Sequence, residues 1–309
     1  MANVLVTGGV GFIGSHVAEA CLEAGDSVWV VDNLASGLVE DIPQGVVFRE
    51  GDVADAAFMR RVVEEARPAV IHHLAAQSSV THSLAEPLLD ARANVLGTLS
   101  VLEAARLLET PPRVVYAATG GACYGDPEEE IVDEGRPLAP ASHYGMSKVA
   151  GERYLIFYGE HFGMNVVSLR LANVYGPRQR PSLDAGVISI FAEKLARGEP
   201  LTLYGHGRAG RDYVYVKDVV EAFLAAAGGG VDGGAYNIGT GVVTEVETLL
   251  GIICRLMGKS PLSVERAPLR AGEVFRIGLD ARAFEQKTGW RHSYSLEEGI
   301  AAFLESLGV

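Results

Sequence analysis

The sequence predicts an α/β protein built on a doubly wound parallel sheet, with a smaller lobe toward the C-terminus. Three observations carry that expectation. Short β-branched runs alternate with amphipathic stretches through the first half of the chain. A glycine-rich turn joins the first such run to the first helical stretch. The rhythm then breaks after about residue 170, where glycine, proline and arginine cluster. Alternating apolar strands and helices imply a parallel sheet covered on both faces.

In order, the strand candidates are Val4–Thr7, Ser27–Val31, Val46–Phe48, Ala69–Leu74, Arg113–Ala117 and Val166–Leu169. Between them, helical patterns cover Ser15–Ala24, Ala56–Glu65, Leu88–Leu108 and Tyr144–Glu160. Residues 1–170 form one unit. Residues 171–309, with clusters at Tyr175–Arg180 and Tyr204–Arg211, form mainly a second lobe, some of whose segments return to pack on the sheet. The run Glu128-Glu129-Glu130 is a solvated loop.

Bulk properties narrow the partners. A net charge of −13 argues against nucleic acid and anionic membrane. Three widely spaced cysteines, Cys21, Cys123 and Cys254, fit neither a disulfide framework nor a closed zinc site and suit a reducing cytoplasm. No signal peptide is expected from Met1-Ala2-Asn3-Val4, and no apolar run is long enough to span a bilayer. His72 and His73 are adjacent and point to opposite sides of a strand, so no metal site is expected.

The stretch Val4–His16 carries Gly8, Gly11 and Gly14 between a strand and a helix. Glycines there permit a tight turn, close backbone approach to a pyrophosphate and close helix–strand packing. The helix N-terminus offers free N–H groups to the phosphates. The spacing is G-x-x-G-x-x-G rather than G-x-G-x-x-G, so context matters more than the glycines alone. That context includes Asp32, eighteen positions after Gly14 at the end of the second strand. A carboxylate there accepts from the adenosine ribose hydroxyls and repels a 2′-phosphate, which favours NAD over NADP in a Rossmann-type site. Asp52-Val53, after the third strand, supplies a carboxylate and an apolar wall for an adenine.

Tyr144 and Lys148 lie four apart on a helical pattern and share a face. A tyrosine is a poor base at neutral pH because its pKa is about 10. A neighbouring ammonium and a nicotinium charge stabilise the phenolate, which can then take a proton from a substrate hydroxyl as hydride leaves the same carbon. Thr119 ends a strand, where an α/β sheet presents ligand-contacting groups, and its hydroxyl can bridge the substrate hydroxyl and Tyr144.

Assembled, these residues make the sequence resemble the extended short-chain dehydrogenase/reductase family over essentially the whole chain. The supporting stretches are Thr7–His16, Val31–Gly37, His73–Gln77, Thr119–Gly125, Tyr144–Lys148, Leu169–Gln179 and Arg211–Val216. The resemblance implies a cofactor site of Gly8, Gly11, Phe12, Ile13, Gly14, Asp32, Asn33, Ser36, Gly37, Asp52, Val53, Leu74, Ala75, Ala76, Gln77, Asn94, Tyr144 and Lys148. It implies catalysis by Tyr144, Lys148 and Thr119, and a UDP-sugar substrate held by Thr119, Tyr144, Asn173, Gly186, Val187, Arg211, Arg270 and Ile277. Asn173 matches a diphosphate-contacting asparagine, Gly186-Val187 lie by the uracil, and Arg211 and Arg270 match phosphate-pairing arginines.

Dehydratases of the family usually carry Asp-Glu directly after the threonine, and decarboxylases a glutamate. Here Gly120-Gly121 stand in that place. The resemblance therefore implies C4 epimerisation of a UDP-hexose through a transient 4-keto sugar, with NAD regenerated in each cycle. UDP-glucose and UDP-galactose are the default pair. Ile277, seven after Arg270, stands where some members have a bulky tyrosine beside the sugar's 2-substituent, so the N-acetylated pair stays open. Other departures are Ser78, where some epimerases have a lysine, and Ala117-Ala118, where serines are common. A dehydratase, decarboxylase or reductase on the same scaffold is the alternative. A non-catalytic dinucleotide sensor ranks last, because Tyr144, Lys148 and Thr119 are all present. Relatives of this type commonly pair two helices into a homodimer, for which Leu88–Leu108 and Tyr144–Glu160 are the candidates.

Overall fold

Seven strands form one parallel sheet in the computed structural model, which describes residues 2–180 and 186–309. They are β1 (Asn3–Thr7), β2 (Ser27–Asp32), β3 (Val47–Glu50), β4 (Val70–His73), β5 (Arg113–Thr119), β6 (Val166–Leu171) and β7 (Gly234–Ile238). Across the sheet their order is β7-β6-β5-β4-β1-β2-β3, and every neighbouring pair is parallel. The order reverses between β1 and β4. In such sheets a ligand crevice opens at that switch point, beyond the strands' C-terminal ends. Those ends carry Thr7, Asp32, His73 and Thr119.

Both faces of the sheet are covered, which is why the strand sequences lack polar alternation. Val4 and Val6 of β1 join Val17 of α1 (Phe12–Glu23) in one core, with Val28 and Val30 of β2. Leu5, between them, points the other way, to Met59 of α2 (Ala56–Ala66), Leu102 of α3 (Gly97–Arg106) and Leu155 of α4 (His143–Phe162). Each such side chain stabilises the fold by roughly 1.5–3 kcal/mol.

The expected helix over Leu88–Leu108 runs without a gap as Pro87–Ala91, a π-helical turn at Arg92–Leu96, and α3. Two later helices are α5 (Val187–Arg197), which packs in the second lobe, and α6 (Val216–Ala227), which crosses back to lie against α1.

A smaller sheet is centred on the strand Gly210–Tyr215. That strand pairs antiparallel with Val243–Glu245 and parallel with both Asn173–Tyr175 and Arg276–Leu279. Arg276–Leu279 pairs in turn with Ile131–Val132. The two sheets therefore exchange segments: Ile131–Val132 goes out to the second, and β7 returns to the first. No helix of the described residues is long and apolar enough to cross a membrane.

Candidate active site

The first wall is the turn after β1. Gly8 has φ +71°, and a Cβ on it would stand 2.6 Å from the backbone nitrogen of Ala75. A Cβ on Gly14 would stand 2.0 Å from the carbonyl oxygen of Gly8. Both obstacles are backbone, so neither can move aside. Gly11 caps α1 without a side-chain hydrogen bond, and no acidic residue occupies its first turn. The N–H groups around Phe12 and Ile13 thus face outward with the positive end of the helix dipole. Phe12 also packs against the core of the second lobe, and Ile13 against that of the first.

Asp32 is enclosed at 8% exposure and accepts from Val10 N (3.0 Å) and Leu34 N (2.8 Å). Burial raises its pKa, and the backbone donors pull the other way. The carboxylate thereby ties the glycine turn to the loop after β2. Gly37 packs under Val10, while Asn33 and Ser36 are exposed on that loop. Asp52 pairs with Arg92 at 3.0 Å, and Val53 is buried against Gly97.

The segment Leu74–Gln77 is held by an enclosed polar chain. Leu74 N donates to Thr7 O at 3.0 Å. Thr7 Oγ1 meets His73 Nδ1 at 2.7 Å, and His73 Nε2 meets Thr98 Oγ1 at 3.0 Å. Thr98 donates its own proton to Asn94 O, so His73 must donate from Nε2 and accept at Nδ1. Burial holds His73 neutral, its pKa lowered to about 3.

Asn94 lies in the π-helical turn at 1% exposure. Its Oδ1 accepts from Gln77 N, and its Nδ2 donates to Gln77 O, Asp90 and Ser147 Oγ. Asn94 is thus bonded to both the N–H and the carbonyl of Gln77. It is enclosed and engaged on both sides of its amide, and it acts by holding Gln77 and α4.

Tyr144 and Lys148 stand in the first two turns of α4, whose N-cap, Ser142, accepts from Gly145 N at 3.1 Å. Tyr144 is half-buried, and its backbone N–H donates to the buried hydroxyl of Ser83. Lys148 is 3% exposed, with Nζ 4.3 Å from the centre of the Tyr116 ring. Burial lowers its pKa to about 7, against the opposing pull of Asp90 and Glu152. Tyr116 and Asp90 were not legible as site residues, because each reaches Lys148 from a distant part of the chain.

Thr119 ends β5 at 8% exposure and is followed by the helical turn Gly120–Cys123. That turn abuts α4: a Cβ on Gly145 would lie 2.5 Å from Ala122 O. A Cβ on Gly121 would lie 3.1 Å from Asn173 Oδ1, which brings Asn173 to the same corner.

The second lobe closes the opposite side. Arg211 donates to the carbonyls of Gly210 and Phe275, both at 2.9 Å. Burial lowers its pKa, and Arg270 nearby acts in the same direction. Arg270 itself is paired with Glu273 and lies over the Tyr204 ring. Gly272, between them, packs on Ser142 and Leu84, and Phe275 N donates to Asp126 at 2.8 Å. The 270–275 loop thus touches both the start of α4 and the segment after the Thr119 turn. Ile277 is the register partner of Arg211, at 2% exposure, on the face where Leu279 fills the space over Gly120. Gly186 starts α5 beside the Gln179 side chain, which donates to Val174 O, and Val187 packs in the second lobe.

Residues 4–239 match the NAD dependent epimerase/dehydratase family. The chain belongs to that family. A UDP-glucose 4-epimerase of Mycolicibacterium smegmatis is 40% identical over 308 residues, covering 98% of this chain and 97% of its own. The crystal structure of Thermus thermophilus UDP-glucose 4-epimerase in complex with NAD is 43% identical, with a TM-score of 0.94 over 99% of this chain and 98% of that one. The Thermotoga maritima UDP-glucose 4-epimerase structure with UDP-glucose is 41% identical, with a TM-score of 0.95 over the same shares.

NAD fits the first wall of this epimerase/dehydratase fold: it has a cradle that any Cβ would fill, uncapped helix amides and an enclosed carboxylate, Asp32, at the end of β2. Sequence reasoning missed a clamp between the lobes. His16 Nε2 meets Pro177 O at 3.0 Å, Arg178 pairs with Glu19 at 2.7 Å and reaches Ser15 Oγ, and Arg180 pairs with Asp41 at 2.9 Å. The Gly-Pro-Arg cluster at Tyr175–Arg180 was the available signal.

Proposed function

We propose that this chain is a UDP-glucose 4-epimerase that interconverts UDP-glucose and UDP-galactose with NAD as its resident cofactor. The observation that selects epimerisation within the family is the absence of an acid directly after Thr119, where Gly120-Gly121 stand. Leu279 Cδ1 fills the space over Gly120, 2.2 Å from where a Cβ would stand. The chemistry left at this corner is that of Thr119, Tyr144 and Lys148.

Tyr144 takes the proton of the sugar's 4-hydroxyl, and the Lys148 ammonium stabilises the phenolate that does so. Thr119 orients that hydroxyl from the end of β5. The chemistry that NAD supplies when bound is reversible hydride acceptance at C4, so the sugar passes through a 4-keto form and returns with either configuration. Gly8, Gly11, Gly14 and the amides of Phe12 and Ile13 hold the pyrophosphate. Asp32, with Asn33, Ser36 and Gly37, holds the adenosine ribose, and Asp52-Val53 the adenine. Leu74–Gln77 border the nicotinamide side. Asn173, Arg211 and Arg270 hold the UDP diphosphate; Arg270 must exchange Glu273 for phosphate oxygens. Gly186-Val187 lie by the uracil and Ile277 by the sugar, which makes residues 171–309 mainly the substrate lobe.

Purified protein, incubated without added NAD with UDP-galactose and separately with UDP-GalNAc, tests this by NMR. UDP-glucose formed without net NADH is the expected result, and the ratio of the two rates reads what Ile277 admits at C2. Conversion of neither, even with NAD supplied, would sink the assignment.

The free thiols suit a cytoplasmic enzyme. Homodimerisation is supported by large apolar side chains left exposed on the Pro87–Arg106 and α4 helices: Leu88, Leu89, Leu96, Met146, Tyr154 and Phe157. A patch of that kind on one face marks a protein interface.

A further inference from the structure

Glu152 lies two turns beyond Tyr144 and one beyond Lys148 on α4, at 2% exposure. A carboxylate so enclosed needs partners. Ser168 Oγ donates to it at 2.8 Å, Arg170 Nε at 2.9 Å and Arg170 Nη2 at 2.6 Å. Ser168 and Arg170 alternate on β6, so both reach the same face. The guanidinium then donates from Nη1 to the Tyr124 hydroxyl at 2.7 Å, which donates to Asn237 Oδ1 on β7 at 2.8 Å. Asn237 donates from Nδ2 to Val132 O at 3.0 Å and from its backbone N–H to Glu134 at 2.7 Å.

This line of buried bonds joins α4 to β6, β7 and the turn after β5. It touches the helix of Tyr144 and Lys148. Through Tyr124 it touches the turn that starts at Thr119. Through Val132, paired with Leu279, it reaches the second sheet. Stability alone is a poor reason for it, since a buried ion pair is often no better than apolar residues of equal volume. What directional bonds add is a fixed offset between elements.

The geometry points to Glu152 and Arg170 as positioning residues that set the Tyr144–Lys148 face of α4 against Thr119. This rests on the epimerase reading. Glu152 also gives Lys148 a negative neighbour one turn on. The groups facing Lys148 are Asp90 from Pro87–Ala91, neutral His73 at the end of β4, the Tyr116 ring on β5, and Tyr144 and Glu152 on its own helix. Removing the Glu152 charge favours the neutral amine, because that charge holds the ammonium in place.

The experiment compares wild type, Glu152→Gln and Tyr124→Phe, each with retained NAD and circular dichroism as checks of folding. Glu152→Gln is expected to lower kcat by about tenfold to a hundredfold with KM for UDP-galactose little changed, since a small misplacement of reacting groups has that effect. Its alkaline kcat limb should move to lower pH. Tyr124→Phe keeps the ion pair and cuts the link to Asn237, so kcat should fall less and the limb should stay. A folded Glu152→Gln with wild-type kcat and an unmoved limb overturns the inference, even if its melting temperature drops. Should Glu152→Gln fail to fold, Tyr124→Phe decides: unchanged kcat overturns the role, and reduced kcat at constant KM supports it. Wild type without turnover overturns the epimerase assignment instead, so the two failures are distinct.

Discussion

Lys148 is an amine held where its charge is disfavoured, and the sign of the effect can be worked through. Its pKa is lowered by burial from the ordinary 10.5 to about 7. Between those pH values the unfolded chain binds a proton that the folded chain does not, so this group makes stability rise with pH across that window. Urea unfolding of protein freed of dinucleotide should show the rise, at up to roughly 1.4 kcal/mol per pH unit. Lys148→Met should flatten it; equal slopes in both proteins would mean that Lys148 is not enclosed as described. For Tyr144→Phe, loss of the proton-transfer group should reduce kcat by about 10²–10⁴-fold while bound NAD, read by absorbance after denaturation, is retained. The Tyr144–Lys148 pair was legible because both residues share one helix. Tyr116 and Asp90 act on Lys148 through tertiary contacts, and one sequence carries no mark of such contacts.

The glycine turn and the π-helical turn show what an element's sequence can and cannot announce. At Gly8 and Gly14 the conformational demand is written in the residue type itself. Gly8→Ala and Gly14→Ala put a Cβ within 2.6 Å and 2.0 Å of backbone atoms. Each should lose NAD during gel filtration and lower stability by about 1–3 kcal/mol, as overpacking does. An alanine variant that kept a full complement of NAD would contradict the cradle geometry. By contrast, the helical pattern over Leu88–Leu108 marks the helical path but not the change of pitch within it. Within the wide turn at Arg92–Leu96 the Asn94 side chain is held by Gln77, Asp90 and Ser147. π-helical turns of this kind often mark functional positions.

In the molecule as a whole, six strands of the main sheet were legible from their β-branched runs, and the seventh was not. β7, Gly234-Ala235-Tyr236-Asn237-Ile238, opens on glycine and contains the buried Asn237, so it reads as a turn. The proposed dimer belongs to this scale too. Leu88→Glu with Phe157→Glu should convert a dimer into a folded monomer by light scattering at little intrinsic cost, because both side chains are exposed in the single chain. A wild-type monomer at micromolar concentration would remove the basis for that reading. The late arrival of β7 bears on biosynthesis as well. β6 is buried along its whole length, yet its outer partner lies beyond residues 172–233. A nascent chain that has just finished β6 therefore displays an apolar, unpaired strand edge, the kind of surface that recruits other chains. A fragment ending at residue 170 should accordingly aggregate on expression, whereas the intact chain caps its own edge once β7 has emerged from the ribosome.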